Sequence, residues 1–417
     1  MAIHRLPFYP TGFFALLLTV LVPLAALAKT IQVPQQQPTI QDGINAASNG
    51  DVVLVSPGVY TENINFSGKA ITVVSVAGPK TTAIDGGHLN TVVTFDTGET
   101  INSVLRGFTI QDGGSMEGDG GGVMIFEASP TIEENVIEYN ASCGSGGGGG
   151  INVYFLSSAV IKKNIIRDNS QTSGCSGGSG GGIDLIGVTA VQVIENTIEE
   201  NTWETSSGGG IALNAAGASI VMNNLILENY ANGQGGGIYV VNSNNELIIQ
   251  NLIVGNSADQ GAGIYLSIPD GNVGALLVNN TVANNIGGDG SALYVNGVNN
   301  ETPIYNNVFV GLEEQNAIYC VANNQRPPRF FDNDAYSPNG TGFQGTCSSE
   351  SGNNGNISAD PLFVNTVNSN YQLQSGSPAI NAGDNKAPDL PRKDLTGHPR
   401  IVGGSVDMGA YEFQNNN

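Results

Sequence analysis

Two glutamates, Glu199 and Glu228, stand 29 residues apart in neighbouring columns of adjacent repeats, and Glu204 follows Trp203 in the same stretch. Paired carboxylates are the chemistry of glycoside hydrolysis, at about 5 Å for retention and up to about 9.5 Å for inversion. Glu199, Glu204 and Glu228 are therefore the candidate catalytic residues. The competing reading is solubility charge, because Asp and Glu number 36 against 14 Lys and Arg, a net charge of -22. Proton abstraction beside a uronate needs cationic groups to neutralise its carboxylate and supply a base. From Asp168 through Gln325 there is no Lys, Arg or His. Lys162, Lys163 and Arg167 cluster on one repeat with Arg106 nearby, while His88 and His398 lie near opposite ends. The same deficit excludes nucleic acid as a partner and favours a neutral glycan over a polyanion. Ca²⁺ could supply charge through oxygens such as those of Glu117, Asp119 and Asp184. No Asp-containing nonapeptide repeats, however, and no metal ligands are assigned.

Aromatic residues give a second kind of site. Tyr239, Tyr265, Tyr294 and Tyr319 recur at the repeat interval, in one alignment column with Met124, Asn152, Asp184 and Ala212. Facing outward on stacked strands they would form a stripe about 15 Å long, suited to sugar rings because each ring has an apolar face and a hydroxyl. The same spacing equally suits a ladder of rings stacked on one another. Trp203 and Tyr230 follow the second asparagine of neighbouring repeats, in loops that can either build a site or pack down. The candidate ligand-binding residues are thus Tyr239, Tyr265, Tyr294, Tyr319, Trp203 and Tyr230.

The elements that must position these side chains follow from the repeat. Asn-x-[Ile/Val]-x-x-Asn recurs at Asn135, Asn164, Asn196, Asn224, Asn251 and Asn280, more weakly at Asn307, with Asn333 continuing the column; the steps run from 26 to 32 residues. Glycine runs ending at Gly122, Gly150, Gly182, Gly210 and Gly237 keep the same rhythm. Each is followed by an alternating strand such as Ile151-Asn-Val153 or Ile238-Tyr-Val240. A unit of this length rich in Gly, Asn and β-branched residues is a poor helix former. It cannot bury its apolar face alone, whereas stacked copies can, which makes a solenoid. The asparagine columns then read as amide ladders at turns, and the glycines as positive-φ turn residues.

These motifs resemble the right-handed parallel β-helix, or pectate-lyase-like, repeat proteins over essentially the whole chain after its leader. The fold class this implies is all-β, a single right-handed parallel β-helix with a short N-terminal capping helix. The opening, Ile31-Gln-Val33, Pro38-Thr-Ile-Gln-Asp-Gly-Ile-Asn-Ala-Ala47, Gly50-Asp-Val-Val-Leu-Val55 and Pro57-Gly-Val-Tyr60, is similar to the first coil of exported members. Thr39 can cap a helix that buries Ile40, Ile44 and Ala47. Asp360-Pro-Leu-Phe363, Ser377-Pro-Ala-Ile-Asn-Ala-Gly383 and Val406-Asp-Met-Gly-Ala-Tyr-Glu412 resemble the closing module of exported bacterial β-helix proteins that carry a surface anchor behind it. Enzymes of this resemblance are often lyases or hydrolases of acidic polysaccharides.

In a coiled chain, columns also pair the cysteines. Cys143 and Cys175 each lie five residues before an aligned glycine, and Cys320 and Cys347 are 27 apart, so bridges Cys143–Cys175 and Cys320–Cys347 are expected. A zinc site is the rival and lacks histidines nearby. Residues 1–28 read as a signal peptide, with an apolar run from Phe13 to Leu27 ahead of Ala26-Leu27-Ala28. No anchor is seen behind the closing motifs. The expected organisation is 1–28 leader, 29–100 cap and first coils, 101–345 repeats and 346–417 closing module. The reading is a secreted monomer without a membrane span that binds polysaccharide or cell-surface glycan along its aromatic face. A glycoside hydrolase or lyase is the alternative, hydrolase before lyase, and a non-catalytic structural or adhesive solenoid the third reading.

Overall fold

The structure, a computed structural model, describes residue 1 and residues 27–414 except 116–119, 144–146, 173, 176, 244, 268–272, 298–301 and 322–326. The expected leader therefore lies almost wholly outside the described residues. One coil shows the plan of the rest. Thr131–Glu133 is a strand of the first face, Val136–Glu138 of the second and Ala141–Ser142 of a short third; the glycine run then leads to Ile151–Tyr154 on the fourth. Each strand pairs in parallel with its counterparts one coil away, as Ile132 does with Leu105 and Ile161. The four faces are parallel sheets of 12, 11, 5 and 11 strands. The chain is thus an all-β parallel solenoid of about 10 turns.

Alternation along each strand sends one set of side chains into the tube. Ile132, Ile161, Val193, Val221, Ile248 and Leu277 line the first face and Ile137, Ile166, Ile198, Ile226, Ile253 and Val282 the second, all without solvent exposure. Burying each such side chain contributes about 1.5–3 kcal/mol. The corner between these faces is one left-handed residue, Glu134 at φ 56° or Lys163 at φ 56°, followed by the ladder asparagine. Asn164 shows how that asparagine works. Its Oδ1 accepts the Asn135 backbone N–H at 3.0 Å, and its Nδ2 donates to the Ile132 carbonyl at 2.9 Å and to Asn196 Oδ1 at 3.1 Å. Backbone groups that the turn leaves unpaired inside the tube are satisfied in this way. The column extends past Asn333 to Asn356, whose Oδ1 accepts the Asn333 N–H at 3.0 Å.

The N-terminal end of the tube is closed by a helix. The helix Ile40–Ala46 is capped by Thr39, whose side chain accepts the Asp42 N–H, and buries Ile40, Gly43 and Ile44. Disulfides join Cys143 to Cys175 and Cys320 to Cys347, with Cα atoms 5.4 and 5.7 Å apart. The last residues do not stack as further coils. Beyond Pro361 the chain turns back along the flank, where Tyr371 packs on Leu252, Val254 and Ala283, and Ala387 on Ile249, Leu276 and Val278. Asn279 Nδ2 donates to the Asp407 carbonyl at 2.9 Å, and the Ala410 N–H donates to Thr281 Oγ1 at 2.9 Å. That cover explains why Leu252–Val254 and Leu276–Val278 are buried on both sides. Among the described residues no helix is long and apolar enough to cross a membrane.

Candidate functional site

The tyrosine column lies on the outer side of the fourth face, in the register Ala212–Tyr239–Tyr265–Tyr294–Tyr319. Ring centroids are 5.5, 5.3 and 5.5 Å apart and the planes tilt by 25°, 9° and 19°, so the rings form a continuous stack. Tyr265 and Tyr294 retain only 5% and 8% of their exposure. Of the two arrangements that the spacing allows, the rings adopt the stacked ladder, and the middle ones spend their faces on each other. The glycine run supplies the second cause of burial. Gly235 at φ 64° and Gly261 at φ 54° turn the chain over the column so closely that a Cβ on Gly235 would lie 2.8 Å from the Tyr239 Cα. Only a positive-φ glycine fits such a roof.

Tyr239, at the end of the stack, is different. Its neighbour one coil earlier is Ala212, which has no ring, and Tyr239 is half-buried. Ala212 is fully buried beneath Gly208, and beside Tyr239 lies an open hollow of about 450 Å³, lined by Ser179, Ile186, Ser206, Asn214, Tyr239 and Val241. Burial pushes the Tyr239 phenol above its usual pKa, so at neutral pH its hydroxyl is a hydrogen-bond donor.

Three coils further toward the N-terminus the same face carries aromatic residues that the sequence reading passed over. Phe126, Tyr154 and Phe155 form a triangle with centroids 4.9, 5.4 and 5.7 Å apart. Phe155 is 59% exposed and Leu156 is 76% exposed, at φ 49° and 50°. The left-handed position of Phe155 is occupied in neighbouring coils by Glu127, Gly187, Ala215 and Asn242. A bulky aromatic there is strained and still points to solvent, a cost that packing does not recover. The run Tyr154-Phe155-Leu156, past the end of a strand, was the available signal.

The remaining expected residues disperse. Trp203 is fully buried, with no hydrogen-bond partner for its indole N–H among the described residues, so it offers no face to a polymer. Tyr230 is 40% exposed and borders a polar groove of about 690 Å³ with Gln234, Ser257, Asp259, Gln260 and Ile286. Glu199 stands on the second face beside Arg167, and burial followed by Glu200, Asp168 and Glu228 raises its pKa against the pull of Arg167. Glu228 and Glu204 are exposed, and none of the three glutamates lines the hollow or the groove. The basic cluster is paired internally: Lys162 Nζ lies 2.9 Å from Glu133, Arg167 Nη2 2.6 Å from Glu138 and Lys163 Nζ 3.7 Å from Glu195. Glu117 and Asp119 lie outside the described residues. Among the described residues no three His, Cys, Asp or Glu side chains gather as a metal site.

With this geometry in view, comparison with known proteins adds the following. Residues 172–309 match the family model of the right handed beta helix region. No curated protein sequence matches the chain. Among solved structures the chain is similar to pectate lyase Pel9A, at 16% identity and a TM-score of 0.50, covering 93% of this chain and 97% of that one. It is also similar to the A-module of the Azotobacter vinelandii mannuronan C-5 epimerase AlgE6, at 14% identity and a TM-score of 0.45, covering 77% and 94%. A mannuronic acid specific polysaccharide family 6 lyase from human gut microbiota follows at 15% identity and 0.41, covering 76% and 83%. At such identities the likeness is one of fold, a right-handed parallel β-helix.

Proposed function

We propose that this protein is an exported solenoid that engages a neutral polysaccharide along the outer side of its fourth face. The observation that carries the reading is the end of the tyrosine stack. Tyr239 stacks on a single ring, since Ala212 stands one coil earlier, and it lines a polar hollow. A pyranose presents an apolar face to such a ring and hydroxyls to Ser179, Ser206 and Asn214 around it. The half-buried Phe126 and Tyr154 and the exposed Phe155 extend the surface along one strand column, through Ile186 and Asn214 to Val241. Three coil steps separate the Tyr154 strand from the Tyr239 strand, about 14 Å, so the ligand is an oligomer. The lack of Lys, Arg and His from Asp168 through Gln325 favours an uncharged chain. Two disulfides and the apolar leader support an oxidising, extracellular setting. The test is binding to a polysaccharide panel. Tyr239→Ala and Phe155→Ala should each weaken retention roughly tenfold; retention unchanged in both removes the reading.

A second reading is an enzyme acting on the polysaccharide, supported by the likeness to pectate lyase Pel9A along 93% of the chain. Because the basic groups are held in ion pairs, carboxylate-driven hydrolysis at Glu199 and Glu228 fits these residues better than proton abstraction. Release of reducing ends that Glu199→Gln abolishes would establish it.

A further inference from the structure

The column that becomes tyrosines in later coils holds two small polar residues in earlier ones, Asn152 and Asp184, direct partners on adjacent strands. Both are without solvent exposure. Among the described residues Asp184 has no cationic partner; its two carboxylate oxygens each lie 3.3 Å from Ser179 Oγ. The carboxylate leans toward the coil of Asn152, since a Cβ on Gly147, in that coil's roof, would lie 2.4 Å from Asp184 Oδ2. Asn152 is stranger still. Among the described residues neither Oδ1 nor Nδ2 has a hydrogen-bond partner, whereas the ladder Asn164 is satisfied. An unpaired buried amide and an uncompensated buried carboxylate each cost free energy unless something fills the space between them.

We infer that Asp184, Asn152 and Ser179 form a buried site for a hard cation of the Ca²⁺ type. The donors are all oxygen, a carboxylate, an amide carbonyl and a hydroxyl, the kind a hard cation takes. Ca²⁺ suits an irregular set of this kind better than Mg²⁺, which demands near-octahedral geometry and keeps its waters. A cation would neutralise Asp184 and give Asn152 Oδ1 its missing partner. In its absence burial drives the Asp184 carboxyl well above its ordinary pKa, against the hydrogen bonds from Ser179 and Leu185. One carboxylate sets a modest affinity, with Kd on the order of 10⁻⁴–10⁻³ M as in extracellular modules. The site lies between the Phe126–Tyr154 platform and the Tyr239 hollow, and it stands whether or not that face binds glycan.

The test is thermal unfolding of chelator-treated protein with Ca²⁺ or Mg²⁺ added, beside calcium titration calorimetry. Ca²⁺ should raise the melting temperature of the wild type, Mg²⁺ should do so less, and Asp184→Asn should lose the calcium-specific part. Asn152→Asp should destabilise the calcium-free protein and bind Ca²⁺ roughly tenfold more tightly, since ligand charge sets affinity. An acidic surface also collects Ca²⁺, so the comparison between variants decides. A calcium shift of equal size in the wild type, Asp184→Asn and Asn152→Asp, or no shift in any of them, overturns the inference and leaves Asp184 a buried neutral acid.

Discussion

Tyr239 stacks on Tyr265 at 5.5 Å, and on its other side the register supplies Ala212 and no ring. One tyrosine thus ends a ladder while the next is inside it, and the two should respond to substitution differently. Tyr265→Ala removes a buried ring with two stacking partners and should cost about 2–4 kcal/mol of stability. Tyr239→Ala removes one partner and an exposed face, so it should lose glycan retention with a smaller loss of stability. Urea unfolding and a binding assay on the two variants separate these outcomes. Equal losses of stability and equal binding would remove the distinction.

Asn229 offers a test of the ladders. Its Nδ2 donates to the Ile198 carbonyl and to Asn256 Oδ1, both at 2.9 Å, and its Oδ1 accepts the Asn201 N–H at 3.1 Å. Asn229→Ala leaves buried backbone groups without partners, at about 1–3 kcal/mol each, so a loss of about 2–5 kcal/mol is expected by denaturant titration. Asn229→Asp should be worse than its near-identical shape suggests, because an oxygen then replaces the donor facing Asn256 Oδ1.

The coils were legible because neighbours in space stand at a nearly constant interval in sequence. Ile198 and Ile226, or Cys320 and Cys347, could be superposed by counting alone. The roof over the fourth face was not legible in that way. It depends on how far Gly235 folds the chain back over Tyr239, and the glycine run itself carries no side chain whose pattern reports the direction. The flank was misleading in another sense: Leu252-Ile-Val254 is apolar on both sides of the strand, and only the position of Tyr371, more than a hundred residues later, shows what covers the outer side. Aromatic exposure at Phe155 was missed because its alignment column holds no other aromatic residue and so produced no repeat.

Ile226 lies in the middle of the second-face column with no exposure, between Ile198 and Ile253. Ile226→Asp places a carboxylate where no cation can reach it, and an unpaired buried charge costs several kcal/mol. Because each coil supports its neighbours, the loss should spread, giving a lower melting temperature and faster hydrogen exchange in the flanking coils. Ile226→Val, which keeps the column apolar, should cost only about 0.5–1.5 kcal/mol.

Stability should fall as pH rises from about 4 toward neutrality, the reverse of ordinary acid denaturation. Asp334 is buried in the last coils; its Oδ1 accepts the Ala359 N–H at 3.1 Å while Oδ2 has no partner, and burial pushes its pKa from 3.8 to about 7. Glu412, buried near Arg400, is raised from 4.5 to about 7, again by burial first. The folded state therefore holds protons that the unfolded state releases between these values. The contribution is fully present below the unfolded pKa, is lost as pH climbs to about 7 and changes little beyond. The net charge of -22 works in the same direction through self-repulsion, so a falling curve alone does not identify the groups. Asp334→Asn does: the amide is neutral at every pH, and the variant should show a shallower slope between pH 4 and 7 while the contribution of Glu412 persists. A wild-type melting temperature that rises over that interval, or an Asp334→Asn curve parallel to it, would contradict the assignment of buried protonated carboxyls.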